Sequence, residues 1–129
     1  MRPRPLTLAL LPERLAIGKL PARSPCPDWA VESSFCCVTR TPEELSVVCP
    51  EENIPDGISC DRGWRALKIE GPLDLSDIGI VLSLAEPLAE NGVSIFVVST
   101  YETDYTLVRE SQLDAALKAL GEQGHTIRS

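Results

Sequence analysis

Apolar and polar positions alternate more legibly in the second half of the chain than in the first. Residues 64–70 (WRALKIE) form a compact apolar stretch suited to a strand, and Gly71-Pro72 ends it. Over residues 74–91 the period becomes that of a helix: Ile78, Leu82, Ala85 and Ala89 share one stripe, which Val81, Leu84 and Leu88 widen. Asp74 or Ser76 can cap its start, and Gly92 sits where a helix usually stops. Pro87 removes one helical hydrogen bond near its end. Residues 93–100 (VSIFVVST) read as a buried strand, 101–104 as a hairpin connection, and 105–109 (YTLVR) as the return strand. Ser111 opens a capping box with Asp114, and Leu113, Ala116, Leu117 and Leu120 follow at helical spacing up to Gly121. Residues 125–127 add a short strand. The order β-α-β-β-α-β predicts an α+β, ferredoxin-like unit with an antiparallel sheet and both helices on one face.

The first half carries no clear helix. Residues 6–11 and 15–20 read as two short strands divided by Pro12-Glu13, followed by a Pro/Ser-rich loop at 21–28. Residues 35–39 and 45–49 flank a turn at 40–44 as a second hairpin. Residues 53–63 are polar, hold Pro55 and two glycines, and look like the connection between halves. The two hairpins resemble each other. FCCVTRTPEELSVVCPEE can be laid on FVVSTYETDYTLVRESQ, so that Phe35 meets Phe96, Thr39 meets Thr100, Leu45 meets Tyr105 and Val48 meets Val108. This pattern predicts two related subdomains sharing one core, residues 1–60 and 61–129, the first of them degenerate.

A length of 129 residues suits one ordinary domain or two very small ones, and 43% hydrophobic with 24% charged residues is ordinary for a globular chain. The formal net charge is −7, and the basic residues are scattered apart from Arg2 and Arg4. Nucleic acid and anionic membrane surfaces are therefore not expected partners. No run of 18 apolar residues occurs. The opening MRPR followed by LTLALL imitates a signal peptide, yet its apolar run stops at Pro12-Glu13 with no small-x-small site. It reads as a strand of a cytoplasmic protein. The cysteines (Cys26, Cys36, Cys37, Cys49 and Cys60) contain no CxxC pair, and His125 is the sole histidine. A metal site is not expected, and the thiols read as reduced, small core hydrophobes. His125 is expected at the surface near a frayed end, and Trp29 and Trp64 in the core or at a subdomain interface. No phosphate loop, nucleophile elbow or paired Cys/His sequence occurs, so no catalytic residue and no cofactor are predicted.

GPLDLSDIGIVLSLAEPLAENGVSIFVVSTYETDYTLV is similar to ACT-type regulatory domains, and more closely to small bacterial ACT-domain proteins related to the arginine sensors of the CASTOR type. The segments LALLPERLAIGKLP, FCCVTRTPEELSVVCPEE and GWRALKIEGPL fit that group too, so the likeness covers nearly the whole chain. It implies a pair of ACT-like subdomains that bind small ligands, typically amino acids, without catalysis. Common ACT domains carry Asp-x-x-Gly before the first helix, often with proline ahead of the glycine. Here Ser76-Asp77-Ile78-Gly79 keeps the glycine and replaces the other two. The resemblance also implies a ligand role for the acid that closes S-T-x-x-x-D, which here comprises Ser99, Thr100 and Asp104, with Tyr101 at the aromatic position.

Elementary chemistry points to the same residues. An α-amino acid presents an anion and a cation a few ångströms apart. A helix start with free N–H groups, at Ser76, Asp77, Ile78 and Gly79, suits the carboxylate, worth roughly 0.3–1 kcal/mol. Asp104 or Asp77 can take the ammonium or a cationic side chain. Each residue has a purely structural alternative: Asp104 as a turn former, Ser76 and Asp77 as helix caps, Gly79 as a packing glycine, and Ser99 and Thr100 as local strand-end donors. Tyr101 suits either a sheet edge or a pocket wall. The expected partners are an amino acid or similar small zwitterion and a second copy of the chain, since exposed sheet edges invite pairing. The alternatives are a ligand-free protein-interaction module and an accessory subunit of a separate amino-acid enzyme.

Overall fold

The structure, a computed structural model, describes residues 5–71 and 79–129. They fall into two compact units, one of Met1–Pro12 with Arg65–Ser129 and one of Glu13–Trp64. Two strands, β1 (Thr7–Leu20) and β4 (Ser59–Ile69), run from one unit into the other.

β1 corrects the expectation of two strands divided at Pro12-Glu13. It is continuous through both residues. Proline lacks an N–H, so it interrupts a strand only where a ladder needs that donor. Strand β7 (Thr126–Arg128) pairs with Thr7, Leu8 and Ala9, and β3 (Leu45–Pro50) pairs with positions from Leu15 to Leu20. Pro12 lies between these two ladders, and neither uses its nitrogen.

In the first unit the chain runs β4, α2 (Ile80–Glu90), β5 (Ile95–Ser99), β6 (Asp104–Arg109), α3 (Leu113–Glu122) and β7. This is the expected β-α-β-β-α-β order. The strands lie in the order β7-β1-β4-β6-β5. β5 and β6 are antiparallel, whereas β7 is parallel to β1. The start of β1 thus lies between β7 and β4, the last and first strands of the βαββαβ unit, with Glu70 N–H donating to Thr7 O at 2.8 Å. Leu6 and Leu8 alternate into a core with Leu67, Ile69, Leu84, Leu88, Val108, Ala116 and Leu120, as a strand's period of two and a helix's stripe require.

The ends of both helices depart from the sequence reading. Gly79, with φ 78°, is the N-cap of α2, so the helix starts after it; Asp74 and Ser76 lie outside the described residues. The box at Ser111 and Asp114 does not form. Ser111 sits in a 3-10 turn, Glu110–Gln112, and the N-cap of α3 is Gln112 without a side-chain cap bond. The Gln112 side chain instead accepts from Ser94 N–H at 3.1 Å and donates to Gly92 O at 2.9 Å, tying α3 to the entrance of β5. α3 also continues past Gly121, and Gly124, with φ 90°, lies beyond its end.

The second unit holds α1 (Asp28–Val31) and the hairpin of β2 (Cys37–Arg40) and β3, with β3 against the later part of β1. Its core comprises Ala16, Ala30, Leu45, Val47, Cys49 and Ile54, with Trp29, Cys36 and Cys60 packed against it. Trp64 is buried as well. The segment read as a polar connection is a strand from Ser59 onward. Its polar residues Asp61 and Arg62 are exposed, while the alternation into the core begins at Trp64.

Candidate functional site

Ser99, Thr100, Tyr101 and Asp104 meet in the turn between β5 and β6. Ser99, the last residue of β5, stands opposite Asp104, the first of β6. Thr100 closes the turn. Its N–H and its Oγ1–H both donate to Thr103 O, at 2.8 and 3.0 Å, and its Oγ1 accepts from Thr103 N–H at 3.3 Å. Ser99 is exposed, and the Tyr101 ring, 82% exposed, stands in solvent at the tip. Asp104 is half-buried, and its carboxylate has no hydrogen-bond or ion-pair partner among the described residues.

Thr103 is the residue that the sequence reading passed over. It is buried, and its hydroxyl donates to Ile69 O at 2.6 Å. A buried threonine in a polar turn must place its hydroxyl on an acceptor, and here that acceptor ends β4. The bond pins the turn to the strand from which the chain leaves toward α2. The available signal was a β-branched residue with a polar tip directly before a strand whose alternate positions face the core.

Of the residues expected at the start of the helix, Ser76, Asp77 and Ile78 lie outside the described residues, and Gly79 stands at the N-terminal end of α2. Its left-handed backbone suits glycine, and its carbonyl accepts from Ser83 N–H at 2.9 Å. Among the described residues no side chain caps this helix. The N–H groups of Ile80, Val81 and Leu82 precede the first intrahelical bond, from Ser83 to Gly79, and have no side-chain acceptor among the described residues.

The hairpin of the second unit repeats this turn. Thr41 N–H donates to Glu44 O at 2.9 Å, and Thr41 Oγ1 accepts from Glu44 N–H at 3.1 Å. The structural match pairs Thr41 with Thr100 and Glu44 with Thr103, so the pairing of Thr39 with Thr100 is corrected by two residues. Close by, a pocket of about 420 Å³ is lined by Ala22, Arg23, Arg40, Thr41 and Pro42. The Arg40 guanidinium donates to Ala22 O, and to Ser24 O at 2.8 Å. No residue predicted for the ligand site lines this pocket.

All the cysteines are free thiols in the second unit. Cys49 is core, with Cys36 and Cys60 packed beside it, whereas Cys26 is exposed, contrary to a purely core role. Burial, with the neighbouring Cys36 and Cys60 thiols, pushes the Cys49 thiol up to about 11 against the pull of Arg62. Cys36 is raised too, first by burial and then by Cys37 and Cys26. Such thiols stay protonated and behave as hydrophobes rather than nucleophiles. Among the described residues no group of His, Cys, Asp and Glu could hold a metal ion, and no helix is long and apolar enough to cross a membrane.

Residues 59–122 match the family model described as ACT domain, and residues 13–57 match a second model described as an N-terminal domain. A protein from Agrobacterium tumefaciens, known from its crystal structure, is similar with a TM-score of 0.92 and 38% identity, over 97% of this chain and 93% of its own. The cytosolic arginine sensor for mTORC1 subunit 1 of Bos taurus is 30% identical over 115 residues, 81% of this chain and 33% of the sensor. The chain therefore spans about a third of the length of the curated relatives it matches. The regulatory subunit of aspartate kinase from Thermus thermophilus shares the fold, with a TM-score of 0.60 and 14% identity over 90% of this chain and 96% of its own.

Proposed function

We propose, from the premise that this chain belongs to the ACT-domain proteins and is related to the cytosolic arginine sensors, that it is a non-catalytic regulatory protein binding an α-amino acid. The ligand is held at the N-terminal end of α2, beside the turn of residues 99–104. The observation that carries this reading is the Thr103–Ile69 bond of 2.6 Å, which fixes the turn bearing Asp104 to the strand leading toward α2. The ligand carboxylate takes the N–H groups after Gly79, which no side chain caps among the described residues, joined by Ser76, Asp77 and Ile78. Asp104 takes the ammonium or a cationic side chain, and Ser99, Thr100 and Tyr101 frame it. A helix N-terminus and an unpaired carboxylate are the two complementary ends of a zwitterion site.

Residues 1–60 and 61–129 are proposed as related halves, on the likeness of the Thr41 and Thr100 turns. A second copy of the chain covers β5, whose residues Ile95–Ser99 carry no charge and pair on one side only. The protein works in the cytoplasm, as the name of the curated relative states for that relative.

Thermal denaturation with each of the twenty amino acids tests the reading. A ligand at 100 times its dissociation constant adds about 2.7 kcal/mol of stability. At least one amino acid should raise the midpoint, and Asp104→Ala should abolish the rise. A midpoint unmoved by all of them would favour the competing reading, a protein-interaction module. That reading draws on the α2 face bearing Val81 and Leu82, the latter 61% exposed.

A further inference from the structure

The sequence leaves one helical carbonyl without its donor, and the structure supplies another. In an α-helix the carbonyl of Ser83 would accept the N–H of residue 87, which is proline and has none. Ser83 and Pro87 are both buried, so water is a poor substitute. His125 Nε2 lies 3.4 Å from Ser83 O. The other ring nitrogen, Nδ1, accepts from Leu6 N–H at 3.0 Å, which fixes the tautomer: Nδ1 is bare and Nε2 carries the proton. His125 is 6% exposed, which overturns its expected place at a frayed surface. The next residue, Thr126, donates to Leu6 O at 2.9 Å, so the imidazole stands where β1 and β7 begin to pair.

We propose that His125 is a positioning residue for α2: its Nε2–H replaces the helical bond deleted by Pro87 while its Nδ1 holds the start of β1. One side chain thereby registers the helix that begins at Gly79 against the β1–β7 ladder. Pro87 and His125 act as a pair, since the proline creates the vacancy that the histidine fills. Any consequence for ligand binding rests on the site proposed above. The pairing itself does not, and it is tested without ligand.

The test is a double-mutant cycle on the full chain, read by urea unfolding and by amide exchange of α2. An asparagine amide reaches roughly the Nδ1 position, so His125→Asn keeps an acceptor for Leu6 N–H and loses the donor to Ser83 O. Pro87→Ala restores the N–H that Ser83 O lacks. His125→Asn should raise the unfolding constant about tenfold in the native background and no more than about twofold in the Pro87→Ala background. Exchange of α2 amides should quicken in the single His125→Asn variant and recover in the double variant. Equal penalties in both backgrounds would overturn the proposal. Should a variant fail to fold, imidazole 15N shifts of the unaltered protein decide: a protonated Nε2 supports the pairing, and a protonated Nδ1 refutes it.

Discussion

Replacing Thr103 by valine isolates a single hydroxyl. Valine matches threonine in shape, so the buried position stays filled and no cavity opens. The change removes the 2.6 Å bond to Ile69 O. Ile69 is fully buried and Thr103 is 6% exposed, so water does not replace the lost donor freely. A net hydrogen bond contributes about 1 kcal/mol, and an orphaned buried acceptor costs about 1–3 kcal/mol. A carbonyl keeps a second lone pair for other partners, which places the expected loss at about 1–2 kcal/mol. For a chain of this size that lowers the melting temperature by about 3–10 °C. Calorimetry and urea unfolding measure it, with an unchanged urea slope as the sign that only stability moved. Thr103→Ser keeps the hydroxyl and should retain most of the stability. Valine within about 0.5 kcal/mol of the native protein, or serine as damaging as valine, would refute the role given to this bond.

Asp104→Ala should leave unfolding within about 0.5 kcal/mol, because the carboxylate has no partner to lose among the described residues, while removing any amino-acid-induced thermal shift. Gly79→Ala should cost about 1–2 kcal/mol in denaturant unfolding, since a φ of 78° places an alanine Cβ against its own carbonyl. Leu84→Ala, at a side chain 1% exposed between α2 and the sheet, should cost about 2–5 kcal/mol. Alkali should weaken the fold through Cys49, whose thiol sits at about 11 against an ordinary 9.0. The unfolded chain loses that proton first, so the stabilisation is complete below pH 9 and lost as pH rises through 11, about 2–3 kcal/mol in all. Cys36, also raised, acts in the same direction, and Cys49→Ala should flatten most of the alkaline slope in unfolding followed across that window.

Short-range pattern alone determined the βαββαβ order of the second half. The 3.6-residue stripe of α2, the β-branched run of β5 and the stop at Gly92 are local consequences of side-chain shape and burial. The turn that gathers Ser99, Thr100 and Asp104 was equally legible, because a polar stretch between two apolar strands has one simple solution. What tertiary structure decided is wherever a polar group's partner lies far along the chain. Pro12 reads as a break by itself, and only the folded chain shows β1 continuous through it, with the β7 ladder ending before it and the β3 ladder starting after it. Ser111 has the spacing of a cap, yet Gln112 finds better partners at Gly92 and Ser94. His125 looks like a terminal surface residue until folding sets it between Leu6 and a carbonyl orphaned by Pro87. Hydrophobic periodicity is written into neighbouring residues, whereas hydrogen-bond satisfaction in a buried interior is settled only once distant segments meet.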